Sequence, residues 1–356
     1  MKIAIVTPFA DPEVGACVVR VSAFEKYFKQ KNAEVTILAL KRSGVHGKNR
    51  YASAKDLFCR IYRGKYDLII GTSPPLPHNF FALLAAKLSG AKFILDAKDD
   101  GYFLDSSKKQ KKSLKFRIYS FLRTLTYKLS NLTIYLTKED LLLEKKRYRL
   151  KNQLLVQNGT LDGVCFDKKN RERIRKKAGF SKSDIVGCYL GSIGDEDIGG
   201  LLKSSNGEKF IFVVSVSKDK YGKAERKFLL DLIKRYSPKS IVFENISPTI
   251  VGRYISAADY GILPWNNFMP TSIPVKLFDY ISVGISVITK GYKNTAVERF
   301  HKENDIGFFT ITWNTFFEKV KIVKKKKVGK NLGEKFLRKN YISKLWEEIE
   351  KRGWIK

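Results

Sequence analysis

"SIPVKLFDYISVGISVITK", residues 272–290, places a helix-like run, one glycine and a short β-branched run in immediate succession. The β-branched run predicts a buried strand, and a helix that feeds directly into such a strand is typical of an α/β protein. Asp279 lies in the middle of the helix with apolar neighbours on both sides. A single Asp on an amphipathic helix usually faces solvent, but these neighbours favour a carboxylate with a ligand.

The same alternation of strands and helices runs along most of the chain. Before it breaks at Phe166, the apolar runs "KIAIVTPF", "AEVTILAL" and "AKFILDAKDD" are separated by helical patterns, and after a charged stretch it restarts with "DIVGCYLGSIG". Strands this apolar predict parallel sheets that helices cover on both faces. We therefore expect an α/β protein with two successive parallel sheets joined near residues 160–180, followed by a terminal helix with one apolar stripe.

Composition bounds the class of partner. The 356 residues include 68 Lys and Arg against 35 Asp and Glu, a net charge of +33. Such a charge favours polyanionic partners, namely phosphates, nucleic acid or an acidic membrane surface, although a general lysine bias on solvated faces explains it equally well. The four cysteines and three histidines show no metal-ligand spacing, and no run is long enough to cross a membrane. We expect a cytoplasmic protein, in peripheral contact with the inner membrane face at most.

Ligand sites in open α/β sheets lie beyond the carboxyl ends of the strands, so the loops there are the candidates. "TPFADPEVGACVVR" places Gly15 just before a helix whose N-terminal N–H groups favour an anion. "DAKDDGY" supplies Lys98, a phosphate or carboxylate partner, with Asp99 and Asp100, which could orient or deprotonate a hydroxyl. "YLGSIG" has backbone amides at Gly191 and Ser192 that could cradle a phosphate. Each loop can also be an ordinary turn.

The segment before the helix of the quoted stretch is the fourth candidate. Pro274 suits the first helical turn and Thr271 or Ser272 suits the cap, so the free N–H groups at this end predict an anion site. Lys276 adds positive charge to it. Asp279 suits the two vicinal hydroxyls of a ribose, which can both donate to one carboxylate.

Taken in order, these segments resemble a glycosyltransferase of the GT-B fold, and in detail they are similar to family 4, the retaining nucleotide-sugar transferases. The resemblance covers about residues 1–310. It is carried by "MKIAIVTPF" with "VGACVVR", by "YDLIIGTSPPLPHNFFALLAAKLSGAKFILDAKD", by "LLVQNGTLDGVCF", by "ISPTIVGRYISAADYGILPW", and by "PVKLFDYISVGISVIT" with "NDIGFF".

The resemblance implies two Rossmann-like domains facing across a cleft, residues 1–165 and 166–335, with the C-terminal helix, residues 336–356, packing back toward the N-terminal domain. It implies a UDP- or GDP-linked sugar donor, a glycan or lipid-linked acceptor, retention of configuration, and neither a cofactor nor a metal. The implied donor-binding residues are Gly15, Arg20, Gly191, Ser192, Thr271, Ser272, Ile273, Pro274, Lys276, Leu277 and Asp279. The implied acceptor-binding residues are His78, Asp99 and Asp100, and the implied catalytic residues are Asp99, Lys98 and Lys276.

The chain departs from the family pattern at two places. Thr271 replaces the first glutamate of the family's pair, and Asp279 replaces the second. "SIGDEDIGG", residues 192–200, stands where the family has Arg and Lys for the diphosphate. Either Lys276, Arg20 or another cation neutralises the diphosphate, or the donor site has decayed.

The basic segment "KKQKKSLKFRIYSFLRTLTYKLS", residues 108–130, bears on the acceptor. Lys108 to Arg149 contains 13 basic and 3 acidic residues, and Phe116, Tyr119, Phe121 and Tyr127 interleave with the cations. This pattern favours contact with an anionic membrane and a lipid-linked acceptor, but the aromatic residues could instead pack on the sheet. The rival functions are nucleic-acid binding, for which the charge is the whole argument, an epimerase of the same fold, and an inert scaffold.

Overall fold

A computed structural model describes residues 1–11, 13, 15–41, 49–73, 76–98, 114–194, 196–217, 220–265, 270–326, 328–329 and 331–354. The chain divides into two compact units. Unit 1 comprises Met1–Asn158 and Lys339–Lys356, and unit 2 comprises Gly159–Arg338. The sequence predicted that the first domain ends at residue 165, where unit 1 breaks off at Asn158, and that the second domain ends at 335, where unit 2 ends at Arg338.

Unit 1 is built on a seven-stranded parallel sheet of order β3-β2-β1-β4-β5-β6-β7. Its strands are β1 (Lys2–Thr7), β2 (Glu34–Leu40), β3 (Arg50–Tyr51), β4 (Leu68–Thr72), β5 (Lys92–Ala97), β6 (Leu132–Tyr135) and β7 (Gln153–Leu155). Its helices are α1 (Ala16–Gln30), α2 (Ala54–Gly64), α3 (Leu76–Ser89), α4 (Leu114–Leu129) and α5 (Lys138–Tyr148).

Alternate side chains of these strands fill two cores, one on each face of the sheet. On one face Ile3 and Ile5 of β1 pack with α1 and with the C-terminal helix, whose Trp346 and Ile349 are buried. The Trp346 ring lies 5.5 Å from that of Phe28. On the other face the cover is α2, α3 and α4. The predicted C-terminal helix, Arg338–Lys351, therefore completes the first unit.

Unit 2 contains a six-stranded parallel sheet of order β10-β9-β8-β11-β12-β13. Its strands are β8 (Val186–Ser192), β9 (Lys209–Ser215), β10 (Ile241–Glu244), β11 (Tyr260–Pro264), β12 (Ser286–Lys290) and β13 (Gly307–Thr310). Its helices are α6 (Lys168–Lys177), α7 (Ile198–Ser204), α8 (Lys220–Tyr236), α9 (Val251–Ile255), α10 (Lys276–Val283), α11 (Ala296–Asn304), α12 (Trp313–Val320) and α13 (Leu332–Lys335), and the C-terminal helix follows as α14.

The packing of α10 fixes the side chains of the quoted stretch. Phe278 lies 5.5 Å, ring to ring, from both Phe300 and Phe336. The Tyr280 hydroxyl accepts from the Leu190 N–H at 2.9 Å and donates to the Cys188 carbonyl at 3.0 Å, which joins α10 to β8. Because both anchors are buried, the side of α10 that bears Asp279 has one orientation.

Within the described ranges, no helix has both the length and the apolar character to cross a bilayer.

Candidate functional site

Asp279 is held by a residue that the sequence reasoning did not select. The Thr160 hydroxyl donates a 2.8 Å hydrogen bond to Oδ1 of Asp279. Thr160 is itself buried, and its backbone forms hydrogen bonds with the backbones of Phe336 and Arg338. Burial raises the pKa of the Asp279 carboxyl to about 6, against the smaller opposing effects of Thr160 and the Arg338 charge. Oδ2 has no hydrogen-bond partner in the part of unit 2 that is described, so it can accept from a ligand.

The signal for Thr160 was present in the sequence. "QNGTLDG" follows a strand, and Gly159 marks a close backbone approach: a Cβ there would lie 2.3 Å from the Phe336 carbonyl oxygen. The sequence could not show which helix the neighbouring threonine would meet, because residues 160 and 279 are far apart in the chain.

The start of α10 differs from the prediction. The cap position is Val275, no side chain caps the helix, and Thr271 and Ser272 lie before it, so neither is the cap. Pro274 precedes the helix and accepts from the Leu277 N–H at 3.2 Å. Asp279 consequently lies in the first turn rather than midway along the helix. The Phe278 N–H is likewise bonded to the Val275 carbonyl, at 3.0 Å, so among the described residues the N–H groups left for an anion at this end are those of Val275 and Lys276.

Two of the proposed donor residues serve the fold with their side chains. Leu277 is fully buried, and its N–H is bonded to Pro274, so it cannot contact a ligand as expected. Ile273 is buried as well, at 6% exposure. Only the backbone of Ile273 could meet a ligand.

Lys276 brings several candidate residues together at the end of β8. Its Nζ lies 2.7 Å from Oε1 of Glu196 and 4.5 Å from the centroid of the Tyr189 ring. A Cβ on Gly191 would lie 2.5 Å from the same Nζ, and Gly191 has φ +142°, so glycine suits this position on both counts. Ser192 ends the strand with an exposed side chain. Gly191, Ser192 and Lys276 therefore share one sheet edge.

The acidic segment 192–200 is part of this edge and has structural partners. Glu196 neutralises Lys276, and both side chains are largely buried. Asp197 caps α7 through the Gly200 N–H at 2.8 Å, accepts from the Trp313 indole at 3.1 Å and lies 3.5 Å from Lys290 Nζ. The third acid, Asp195, lies outside the described residues. The cation that the sequence offered for a diphosphate is thus already paired with a carboxylate of the same chain.

Arg20 does not have the donor-binding role that was predicted. It is 2% exposed, and its guanidinium forms a two-pronged ion pair with Asp96, at 2.8 and 2.9 Å, inside unit 1. Further donors go to the Val156 carbonyl and the Asn158 amide oxygen. A guanidinium enclosed in this way holds β5 against α1 and the end of β7, and it has no access to a diphosphate.

Lys98 lies at the carboxyl edge of the first sheet and is 8% exposed. Its Nζ donates to the Cys17 thiol at 3.2 Å, and no carboxylate of the described ranges pairs with it. Cys17 is the second residue of α1, which begins directly after Gly15, and no side chain caps that helix or places an acid in its first turn. A buried cation and a bare helix N-terminus thus share this edge, which suits an anion.

His78 is bonded within unit 1. Its Nδ1 lies 3.1 Å from the Tyr51 hydroxyl, and burial lowers the pKa of the imidazole. Asp99 and Asp100, predicted for catalysis and the acceptor, lie outside the described residues.

Three buried polar atoms near Lys98 were not selected from the sequence. Among the described residues, Thr72 Oγ1, Ser73 Oγ and Asn79 Oδ1 have no hydrogen-bond partner, and each of these residues is 1% exposed. Thr72 pairs with Asp96 in the sheet, two residues before Lys98. Buried polar atoms without partners are uncommon in proteins, and here they mark the edge of β4 as a place for a polar ligand.

One cavity among the described residues lies in unit 2, away from the candidate residues. It has a volume of about 210 Å³ and is lined by residues such as Asp259, Gly284 and Ser286, at the opposite, amino end of the second sheet. It contains none of the candidate residues. Within the same ranges no three His, Cys, Asp or Glu side chains are arranged to hold a metal ion, and the four cysteines are free thiols.

Comparison with known proteins identifies the fold. No protein-family model and no curated protein matches the chain. Sucrose-phosphate synthase from Thermosynechococcus elongatus is similar with a TM-score of 0.71 and 12% identity over 98% of both chains. Anabaena HepE, in complex with UDP, has a TM-score of 0.67 and 13% identity over 99% of this chain and 100% of HepE. UDP-GlcNAc 2-epimerase from Neisseria meningitidis, bound to UDP-GlcNAc, has a TM-score of 0.53 and 12% identity over 98% of this chain and 100% of the epimerase.

The first two neighbours are GT-B glycosyltransferases. The two parallel sheets, the alternating helices and the full-length similarity show that this chain has the GT-B fold, as the sequence predicted. The epimerase shows that a second kind of sugar-nucleotide enzyme is also similar in structure.

Proposed function

We propose that the protein is a glycosyltransferase that moves a sugar from a nucleoside diphosphate donor to a hydroxyl acceptor. One observation carries the proposal. Asp279, with a free carboxylate oxygen, and Lys276 lie in the first turn of one helix whose N-terminus has no side-chain cap. A carboxylate for a ribose and a cation for phosphates are thereby about one helical turn apart.

On the donor side, Asp279 accepts hydrogen bonds from the ribose hydroxyls, and Thr160 fixes the rotation of its carboxylate. The diphosphate is bound by the side chain and the backbone N–H of Lys276 and by the backbone at Gly191 and Ser192. Preorganised amides and cations of this kind stabilise the charge that develops on a departing diphosphate.

In the reaction, the bond between the anomeric carbon and the diphosphate oxygen breaks, and a bond from that carbon to the acceptor oxygen forms. The acceptor hydroxyl loses its proton, and the diphosphate leaves with the bonding electron pair. On the acceptor side we assign Lys98 and the unpartnered Thr72, Ser73 and Asn79 of unit 1. Asp99 and Asp100 remain predictions from the sequence, as residues that orient the acceptor hydroxyl or take up its proton. Retention of configuration and a glycan or lipid-linked hydroxyl as acceptor rest on the family resemblance alone.

The neighbours support the nucleotide class. HepE was solved with UDP, so we expect UDP to bind better than other nucleotides, with GDP as the alternative from the sequence. A second candidate function is epimerisation of a sugar nucleotide, which the similarity to the UDP-GlcNAc epimerase favours. An inert scaffold is the third candidate, because Glu196 already occupies Lys276.

The test begins with binding. Thermal unfolding of the whole chain is followed with UDP, GDP, ADP and a short RNA, each in low and high salt. We expect UDP at about 1 mM to raise Tm, since a ligand that binds the folded state stabilises it by mass action. Asp279→Ala should abolish the shift, and the matched control Asp231→Ala, on the exposed side of α8, should keep it. The absence of any nucleoside diphosphate response, with a salt-sensitive RNA response, would sink the proposal.

The products then separate the enzyme classes. Release of UDP from a UDP-sugar that depends on an added hydroxyl acceptor indicates transfer. Conversion of one UDP-sugar into another, without release of UDP, indicates epimerisation. Nucleotide binding with neither reaction indicates the scaffold.

A further inference from the structure

One surface of unit 1 is apolar and basic at once. It is formed by the outward sides of α2, α3, α4 and α5, and it is called the outer helical face here. Helix α3 contacts α2 on one side and α4 on the other, and α4 contacts α5, so the four helices form a continuous layer. The large hydrophobic side chains exposed on this layer are Tyr62, Leu84, Leu88, Leu114, Ile118, Phe121, Leu129, Leu142 and Leu143.

Helix α4 shows the arrangement most clearly. Leu114, Ile118 and Phe121 are 71%, 53% and 62% exposed, and their spacing of four and three residues places them in one stripe along the helix. Leu129 continues the stripe one turn beyond Leu125. Of the four aromatic residues that the sequence suggested, only Phe121 lies in this stripe: Tyr127 is buried in the core, and Phe116 and Tyr119 are half-buried.

Helix α3 presents the same character beside it. Leu84 and Leu88 are 40% and 62% exposed and lie four residues apart. Their neighbours on the inner side, Ala82, Leu83 and Ala85, are fully buried in the core. The core is therefore complete without Leu84 and Leu88. These leucines are surplus apolar surface, which a monomeric protein rarely leaves in contiguous patches.

The charges of this face all have one sign. On the described parts of α2 to α5, every charged residue in the exposed class is a Lys or an Arg, and none is an Asp or a Glu. They are Lys55, Arg63, Lys87, Arg117, Lys128, Lys138, Lys145, Lys146 and Arg147. The acids of these helices are drawn inward or paired, as in the buried pair of Arg123 with Glu144 at 3.0 Å and the pair of Arg60 with Asp56 at 2.8 Å.

We propose that the outer helical face docks on an anionic lipid bilayer. Aliphatic side chains that project between cations suit the boundary between lipid headgroups and acyl chains. There the aliphatic side chains are buried, and the cations meet lipid phosphates. A second copy of this face would bring like charges together and is repelled. Nucleic acid would engage the cations but would leave the leucines and Ile118 without partners, since bases stack on aromatic rings. The inference does not depend on the proposed enzymatic function.

The experiment is co-sedimentation of the whole protein with vesicles. Neutral vesicles of phosphatidylcholine are compared with vesicles that also contain phosphatidylglycerol, at moderate salt. We expect strong binding to the anionic vesicles and little to the neutral ones. Equal binding to both, or binding to neither, overturns the proposal. The proposal is also overturned if a short RNA displaces the protein from the vesicles while none of the variants described below changes vesicle binding in the absence of RNA.

Paired variants locate the surface. Ile118→Ser with Phe121→Ser should weaken binding at least about tenfold by removing inserted apolar area. Lys145→Gln with Lys146→Gln should weaken it about tenfold or more, because each cation near an anionic surface contributes to binding. The matched controls lie on α8 of unit 2, where Tyr221 and Phe228 are 81% and 53% exposed beside the exposed Lys223 and Lys227. Tyr221→Ser with Phe228→Ser, and Lys223→Gln with Lys227→Gln, should bind as the parent does.

All these substitutions are at exposed positions, so thermal unfolding should change little and will reveal any variant that fails to fold. If the α8 control variants lose as much vesicle binding as the α4 and α5 variants do, then binding depends on total charge and hydrophobicity and not on the outer helical face.

Discussion

The hydroxyl of Thr160 donates to Oδ1 of Asp279 at 2.8 Å, across 119 residues of sequence and within one unit. Thr160 is buried, and its backbone is tied to residues 336 and 338, so the donor cannot move away. The carboxylate is therefore oriented before any ligand arrives. The same burial raises its pKa to about 6, so a site that suits a ribose costs the protein stability at neutral pH.

Asp279→Asn should stabilise the protein at pH 7.5. The folded pKa is raised above the ordinary value of 3.8, so the folded protein binds the extra proton and stability falls as pH rises from about 4 to about 6. Asparagine keeps an oxygen for Thr160 and removes the buried charge. We expect a gain of about 1–3 kcal/mol at pH 7.5 and almost none at pH 4, measured by urea unfolding. The exposed Asp231→Asn is the control; a gain in Asp279→Asn that is the same at both pH values would contradict this account.

Glu196→Gln should strengthen UDP binding while weakening the fold. In the proposed donor site, Glu196 and the diphosphate compete for Lys276, whose Nζ lies 2.7 Å from the Glu196 carboxylate. Removing that charge frees the lysine for the ligand, and we expect the Kd for UDP to fall about 3- to 30-fold in a calorimetric titration. Stability should fall by about 1–3 kcal/mol, because a largely buried ammonium loses its partner.

The control for this variant is Asp259→Asn. Asp259 pairs with Arg171 and Arg175 at the amino end of the sheet, so its loss should destabilise the protein without changing the Kd for UDP. Lys276→Met should act in the opposite direction to Glu196→Gln and weaken UDP binding. An unchanged Kd in both Lys276→Met and Glu196→Gln would remove Lys276 from the donor site.

Arg20→Met should destabilise unit 1 by about 3–5 kcal/mol, since it leaves the fully buried Asp96 without its counter-charge. Pairing it with Asp96→Leu should recover much of the loss, as apolar replacements of buried ion pairs often do. The affinity of the folded protein for UDP should stay the same in both variants. A stable Arg20→Met variant with weakened UDP binding would restore Arg20 to the donor site.

Trp346→Ala should lower the stability of unit 1 by about 3–5 kcal/mol, because it opens a cavity beside Phe28 in a core that is otherwise closed. Trp354→Ala, at the partly exposed end of the same segment, should cost much less. Chemical unfolding followed by tryptophan fluorescence and circular dichroism measures both. Equal losses from the two substitutions would contradict a stabilising role specific to the buried Trp346 side chain.

The sequence was a good guide to elements and a poor one to side-chain partners. Apolar runs and their spacing predicted both parallel sheets and the apolar stripe of the C-terminal helix, because burial on both faces leaves a direct mark on composition. The family resemblance implied Arg20 as a donor-binding residue. In the sequence, an arginine after a glycine loop has the same appearance whether it binds a ligand or forms a buried ion pair. Its partner, Asp96, is 76 residues away, and no local pattern encodes that pairing.

The same limit explains the start of α10. Thr271, Ser272 and Pro274 have the composition of a capped helix, yet the helix begins two residues after the proline because buried contacts of Phe278 and Tyr280 set its position. Tertiary packing overrides a local preference of this size. Glu196 was noticed as an anomaly, but its pairing with Lys276 required coordinates.

The C-terminal helix also governs the order in which the protein can mature on the ribosome. Ile342, Leu345, Trp346 and Ile349 fill the same core as β1, yet they are synthesised after every residue of unit 2. The first sheet therefore emerges with this face covered by α1 alone, and the apolar surface that the C-terminal helix will cover stays exposed throughout the translation of unit 2. We expect unit 2 to finish folding first, and nascent chains halted before residue 338 to depend on chaperones for the half of the protein that was made earliest.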